Sequence, residues 1–208
     1  MRESHPPKCV GLKRCWEKDI GEEITGETWG EIIGSWFKVS REIQTRLINY
    51  KIINRTYWTP SKMARLGLRG SDLCWRCDTT CGTLLHMLYS CPMIDILWSK
   101  IITFINTVMA SSLAQGPMLC ILGMVPKESG LNAHQTSWCR IALITGCRIV
   151  LRHCKTRGDI SFKEWMDKIA KISFYERLCY KMINRMDMKI WGPFLAVTLS
   201  AGELHPFK

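Results

Sequence analysis

The segment 74–91, CWRCDTTCGTLLHMLYSC, constrains this chain more than any other because it concentrates soft metal-ligating side chains. Cys74 and Cys77 have two residues between them, and His86 and Cys91 have four. Zinc takes four sulfur or nitrogen ligands in a tetrahedron, and two ligands close in sequence supply two corners from one turn. We therefore predict a zinc knuckle in which one Zn²⁺ is held by Cys74, Cys77, His86 and Cys91.

Two alternatives stay open for this segment. Free cysteines are often buried without any ligand role, so the same residues would also suit ordinary core thiols and a core histidine. Cys81 is a fifth candidate for four ligand positions. The second closely spaced pair favours metal over the core interpretation. Three Cys and one His form a closed site without a position for water, so the predicted zinc is structural rather than catalytic.

The residues around this segment also resemble a known family. The stretches RTYWTPSKMARLGLRGSDLCWRC (55–77) and GTLLHMLYSCP (82–92), followed by Trp98, are similar to the C-terminal cysteine-rich region of LINE-type non-LTR retrotransposon reverse-transcriptase polyproteins. Weaker similarity extends over residues 16–197. The resemblance implies that Cys81 is not a ligand and that a reverse-transcriptase domain of the parent polyprotein is a partner.

Positive charge is concentrated in two segments of the chain, whose net charge is +11. Residues 38–76 carry nine Lys or Arg against two acids, and residues 129–158 carry five basic residues and no acid. Such clustering is typical of proteins that bind RNA or DNA, and neighbouring aromatic rings can stack on bases. The candidate nucleic-acid-binding residues are Lys38, Arg41, Lys51, Arg55, Tyr57, Trp58, Lys62, Arg65, Arg69, Arg76, Arg148, Arg152 and Lys155.

Each of these assignments has a structural alternative. Tyr57 and Trp58 would equally suit a core, and basic residues such as Arg152 are favoured at any helix C-terminus. In the helix predicted over residues 40–54, Val39, Ile43, Leu47 and Tyr50 form an apolar stripe, but Ile48 and Ile52 lie within the opposite, basic face. Either this helix lies between two layers of protein, or its basic face meets an anionic and partly apolar ligand.

Helical periodicity and capping signals predict a mainly α fold with the knuckle inserted between helices. Helix starts are predicted at Thr28, at Pro60 with Thr59 as its cap, at Pro92 and at Ser161. A second capping box, Ser173-x-x-Glu176, predicts a break near Ile172. A helix over 137–155 is apolar almost all round and is predicted to be mostly buried, and the helix after Pro92 has a predicted core face of Ile94, Leu97, Trp98, Ile101, Ile105 and Val108. We predict a flexible leader over 1–15, a basic helical half over 16–110, a loop over 111–136, a helical pair over 137–198, and a tail over 199–208.

Composition and missing motifs narrow the functional classes. The chain has eleven cysteines, an odd number, and its first residues are polar, unlike a secretory signal. Both observations favour reduced thiols in an intracellular protein of the nucleus or cytoplasm. No apolar run reaches the ~18 residues that a membrane span requires, so no membrane partner is expected. The sequence contains no Asp-Asp, Asp-x-Asp or Tyr-x-Asp-Asp pattern of the kind that holds polymerase metals, so we expect no enzyme activity. The alternative function is a structural interaction domain that docks on a protein partner or on a separate polymerase domain.

Overall fold

The computed structural model describes residues 9–35, 38–182, 191–192 and 194, and in this part of the chain the architecture is helical. One antiparallel bridge, between Leu73 and Cys81, is the β pairing found there. The predicted mainly α fold with a Cys3His cluster between helices is confirmed. The helices are α1 (Cys9–Ile20), α2 (Gly26–Ser35), α3 (Ile43–Ile53), α4 (Pro60–Arg65), α5 (Asp95–Met109), α6 (Pro117–Leu122), α7 (Ala133–Arg152) and α8 (Phe162–Met182).

Helix α7 is the central element, packed against α3, α5, α6 and α8. It is apolar on almost every side, as the sequence predicted, and most of its residues from Trp138 to Val150 are buried. Gly146 lets α5 approach closely, because a Cβ at this position would lie 2.9 Å from the ring of Trp98. The apolar residues predicted for α5 are also buried, including Trp98 and Ile101.

Several element boundaries differ from the predicted ones for local reasons. Helix α2 begins at Gly26, since the Thr25 hydroxyl, not that of Thr28, accepts the capping hydrogen bond, here from the Thr28 N–H at 3.1 Å. Helix α7 begins at Ala133, because Asn132 and Gln135 form a capping box. The segment predicted as a loop over 111–136 contains α6, whose apolar residues 119–122 are buried.

The C-terminal part of the predicted flexible leader is helical from Cys9 onward, as the start of α1. Leu12, Trp16 and Ile20, spaced four residues apart, pack on the core, and the Trp16 indole N–H donates to the Ile53 carbonyl at 3.0 Å. Residues 1–8 and the predicted tail, 199–208, lie outside the described residues. The division into a leader, two halves, a loop and a tail stays a prediction.

Helix α3 exposes the apolar stripe that the sequence analysis identified and buries residues of its other side. Ile43, Leu47 and Tyr50 are exposed, and the exposed fraction of Ile43 is 70%. The buried residues are instead Thr45, Asn49, Ile52 and Ile53. The face that carries Ile52 packs on α7, so this side of the predicted basic face is covered by protein rather than open to a ligand.

Helix α8 is continuous through the predicted break near Ile172. The second capping-box signal fails because Glu176 is buried and accepts hydrogen bonds from outside its own helix: from the Ser40 hydroxyl, from the Arg41 N–H at 2.9 Å and from the Trp191 indole at 3.2 Å. Tertiary partners therefore hold this carboxylate in mid-helix. Among the residues that the structure describes, no helix is both long and apolar enough to cross a membrane.

Candidate metal centre and basic surface

A short hairpin positions the first two ligands. The Cys74 N–H donates to the Thr80 carbonyl and the Gly82 N–H to the Asp72 carbonyl, both at 2.8 Å. Between these bonds the chain turns back, with Asp78 in the left-handed region (φ 56°) and its N–H donating to the Cys74 carbonyl. This tight turn places the Cys74 and Cys77 sulfurs on the same side, as a C-x2-C ligand pair requires.

A π-helical turn, residues 86–90, positions the other two ligands. In an α-helix, residues five apart point about 140° away from each other at 100° per residue. Here the Cys91 N–H bonds the His86 carbonyl, an i to i+5 hydrogen bond of 2.9 Å. This wider turn brings the His86 and Cys91 side chains to the same side of the chain, and such turns are frequent at functional sites.

The four predicted ligand atoms converge within 4.8 Å of one another, and no other such group occurs in the described part of the chain. Within the group, Cys77 Sγ and His86 Nε2 lie 3.3 Å apart. In a tetrahedral zinc site with Zn–S of about 2.3 Å and Zn–N of about 2.0–2.1 Å, neighbouring ligand atoms lie about 3.4–3.8 Å apart. The Cys3His group could therefore hold a metal ion after a small contraction.

Hydrogen-bond donors favour a thiolate at Cys77, whereas burial raises the pKa of Cys91. Although burial alone would raise it, hydrogen bonds from the Thr79 hydroxyl, from the backbone N–H groups of Thr79 and Thr80 and from His86 lower the pKa of Cys77 to about 5. The Arg76 N–H lies 3.4 Å from the Cys74 sulfur and donates to it. These donors are in place to stabilise metal-bound sulfur.

Cys81 lies outside the cluster. It is paired with Leu73 in the hairpin bridge, and its sulfur contacts the side chains of Asp72 and Ser61 rather than the ligands. Burial and the neighbouring Asp72 carboxylate raise the pKa of Cys81, so this thiol stays protonated at neutral pH. The choice of four ligands from five candidates agrees with this geometry.

The two basic segments meet beside the cluster, at Trp75. The guanidinium of Arg69 and the ammonium of Lys155 lie 5.8 and 5.3 Å from the Trp75 ring centre. On α4, the Lys62 ammonium lies 4.9 Å from the ring of Trp58, which is 55% exposed. Because the hairpin also packs its Gly82 on Pro60 at the start of α4, we treat these groups together as the basic–aromatic surface, which consists of Trp58, Lys62, Arg69, Trp75 and Lys155.

Arg76 does not belong to this surface, and its prediction as a phosphate contact is wrong. Its side chain is 2% exposed. The guanidinium donates to the carbonyls of Met87 at 3.2 Å, Val150 at 3.0 Å and His153 at 3.4 Å. Nothing in the sequence distinguishes this arginine from its exposed neighbours, because its partners come from the π-helical turn and from the end of α7.

Other predicted nucleic-acid-binding residues have protein partners. Arg55 pairs with Asp19 and lies over the Trp16 ring, and Arg148 pairs with Glu42 at 2.9 Å. Burial raises the pKa of Tyr57 to about 12, in line with its packing on the core, so the core alternative holds for this ring.

The remaining predicted cations lie on the surface. Arg152 is exposed but contacts Glu164 at 3.1 Å, and Lys38, Arg41, Lys51 and Arg65 are exposed. No protein-family model matches the chain, so the geometry of the metal cluster and of the basic–aromatic surface is what bears on function.

Proposed function

We propose that this protein is a zinc-stabilised nucleic-acid-binding module. The observation that carries the proposal is the position of Trp75, which lies in the metal-binding hairpin between a cation from each basic segment, Arg69 and Lys155. Trp75 is half-buried, and Trp58 of the same surface is exposed. Lys and Arg neutralise phosphates and accessible aromatic rings stack on bases, so this combination suits a single-stranded or unpaired nucleic acid. The module binds RNA or DNA and contributes no catalytic step of its own.

The donor set supports zinc as the metal. Three sulfurs and one imidazole match the soft and borderline ligands that zinc prefers in closed tetrahedral sites. When bound, the metal would join the hairpin to the π-helical turn. Its role would be to stabilise the fold that presents Trp75, since four protein ligands leave no position for a substrate.

The family resemblance supports the same function. As the C-terminal region of a LINE-type reverse transcriptase, an intracellular module of this kind would hold template RNA or target DNA near the polymerase domain of its parent polyprotein. By this resemblance Cys74, Cys77, His86 and Cys91 occupy the ligand positions.

A salt titration tests the proposal. For single-stranded RNA, the slope of log K against log salt is about −0.7 per phosphate contact. We expect the double variant Lys62→Ala/Lys155→Ala to flatten the slope by about 1.4, because it removes two contacts. The matched control is Lys163→Ala/Lys171→Ala, which removes the same charge from exposed positions of α8. Equal slopes for the two double variants would overturn the proposed surface, and absence of salt-dependent binding would overturn the function.

A second candidate function, docking on a protein, is favoured by the exposed apolar stripe of α3. Ile43, Leu47 and Tyr50 lie on the side away from α7, with the exposed Lys51 beside them. This combination suits a partner with an apolar and acidic surface, such as a separate polymerase domain. Apolar docking barely responds to salt, so binding that Leu47→Ser abolishes and salt leaves unchanged would favour this function over nucleic-acid binding.

A further inference from the structure

Arg76 is a buried cation whose partners in the described chain are three backbone carbonyls and the Cys91 sulfur. Burial of an arginine without a negative partner costs several kcal/mol, and backbone dipoles compensate for only part of that cost. The carbonyls of Val150 and His153 belong to the C-terminal end of α7, where a cation is favoured by the helix dipole. A group with a full negative charge beside the guanidinium would offset more of this cost.

The metal-loaded cluster supplies that charge. Three thiolates and a neutral imidazole around a divalent ion leave one net negative charge, which equals the positive charge of one guanidinium. Arg76 lies between ligands Cys74 and Cys77 and contacts the third sulfur, Cys91, with its side chain. The same guanidinium thus contacts a ligand on one side and the end of α7 on the other.

We propose that Arg76 couples metal occupancy to the conformation of the C-terminal end of α7, over residues 150–157. With metal bound, the fork of Arg76 is held between the cluster and the α7 carbonyls. Without metal, the hairpin that carries Arg76 is no longer joined to His86 and Cys91, so the guanidinium leaves its buried position and the carbonyls of Val150 and His153 lose their donor. Metal binding and the end of α7 are therefore one cooperative unit.

This coupling reaches the basic–aromatic surface. Lys155, three residues after α7 ends, lies over Trp75, and Arg157 pairs with Asp78 of the hairpin at 3.2 Å. An ordered α7 end is what places Lys155 beside Arg69. In this respect the inference rests on the proposed function, because metal occupancy would then regulate nucleic-acid binding through the position of Lys155.

Hydrogen–deuterium exchange on the full chain tests the coupling without any nucleic acid. Removal of metal by a chelator should speed amide exchange in residues 72–91 and, through Arg76, in residues 150–157. The middle of α5, residues 98–105, should keep its protection because apolar packing holds it. Unchanged exchange over 150–157, or a loss of protection throughout the chain, would overturn the inference.

Two variants separate the charge of Arg76 from its hydrogen-bonding fork. Arg76→Met removes both and should weaken zinc binding about 10–100-fold, the usual effect of losing a partner of a ligand. Arg76→Lys keeps the charge and should retain most of the affinity, yet exchange faster over 150–157 when metal is bound. Arg157→Met is the matched control. It removes an exposed arginine that also joins the segment after α7 to the hairpin, through Asp78, and it should leave zinc affinity unchanged.

Competition with a chromophoric chelator measures these affinities. Wild-type zinc affinity in Arg76→Met together with wild-type exchange over 150–157 would contradict the coupling. If Arg76→Met does not fold, Arg76→Lys and the chelated wild type decide the question. Neither readout involves RNA, so failure of RNA binding would count against the proposed function and leave the coupling as measured.

Discussion

Two groups of cysteines in this protein are equally buried but have different neighbours. Cys74 and Cys91 of the metal cluster and Cys139 and Cys147 of α7 are all fully buried. The cluster sulfurs lie against one another, a histidine and backbone N–H donors. The helical thiols lie among apolar side chains, where burial raises the pKa of Cys139 to about 12 and likewise raises that of Cys147. Surroundings, not burial, decide whether a cysteine is a ligand or a small core residue.

The same contrast describes how the two regions are stabilised. The helical core is a continuous apolar cluster centred on α7, α5 and α8. The hairpin has one β bridge, so we expect its stability to depend on cross-linking by a metal. Three experiments test this difference between the two regions.

The largest effect is expected from removing a ligand. Cys77→Ser should reduce bound zinc from one equivalent per chain to nearly none, because a hydroxyl is a poor zinc ligand and structural zinc contributes directly to folding. Cys81→Ser is the control and should retain a full equivalent. Elemental analysis of the purified variants measures both, and release of zinc by Cys81→Ser would mean that the ligand set is wrong.

A smaller contrast is expected in thiol reactivity at pH 8. A thiol with a pKa of about 12, as for Cys120 and Cys139, is ionised in only about one molecule in 10⁴ at that pH. Because the pKa values of Cys120 and Cys139 are raised, their slow reaction in the folded protein should still increase about tenfold for each pH unit above pH 8. Alkylation followed by peptide mapping should label Cys74, Cys77 and Cys91 once a chelator is added, and the core thiols only in denaturant.

Labelling of Cys139 together with the cluster after chelation would contradict this separation. It would mean that the helical core itself depends on the metal. The exposed Cys15 and Cys179 serve as internal controls, since both should react under all conditions.

The smallest effect is expected from a change in the core alone. Gly146→Ala places a Cβ 2.9 Å from the Trp98 ring and 3.0 Å from Ile101, and such overpacking costs about 1–3 kcal/mol. The better helix propensity of alanine offsets about 0.5–1 kcal/mol of this. Urea unfolding should show a net loss of stability, with zinc content unchanged. Gly30→Ala in α2, where a Cβ meets nothing within 4 Å, should instead be neutral or stabilising.

Local sequence signals predicted those parts of the structure whose partners are close in the chain. Thr59 caps α4 as predicted, accepting from the Lys62 N–H at 3.2 Å, with Pro60 at the first helical position. The periodicity of α5 identified its buried face, and ligand spacing identified the metal cluster. The capping box at Asn132 and Gln135 and the four-residue spacing of Leu12, Trp16 and Ile20 were also present in the sequence and could have been found.

Features that depend on distant partners could not be predicted in this way. The apolar periodicity of α3 pointed to Ile43 and Leu47, yet the helix buries Thr45 and Asn49 beside α7. Glu42 explains part of this choice, since it pairs with Arg148 of α7 and with Lys168 of α8 and so holds the start of α3 in that orientation. Periodicity records which face is apolar, but long-range ion pairs helped to decide which face is buried.

By itself, the sequence determined the helical class, the four candidate ligands and the positive charge near them, because spacing, capping and composition act over a few residues. Only the tertiary structure decided which cations remain on the surface. It buried Arg76 between the cluster and α7, paired Arg148 with Glu42, and brought Lys155 to Trp75 across eighty residues of chain. The physical reason is that the energy of a charge depends on its solvation and on its neighbours in space, which local sequence does not specify.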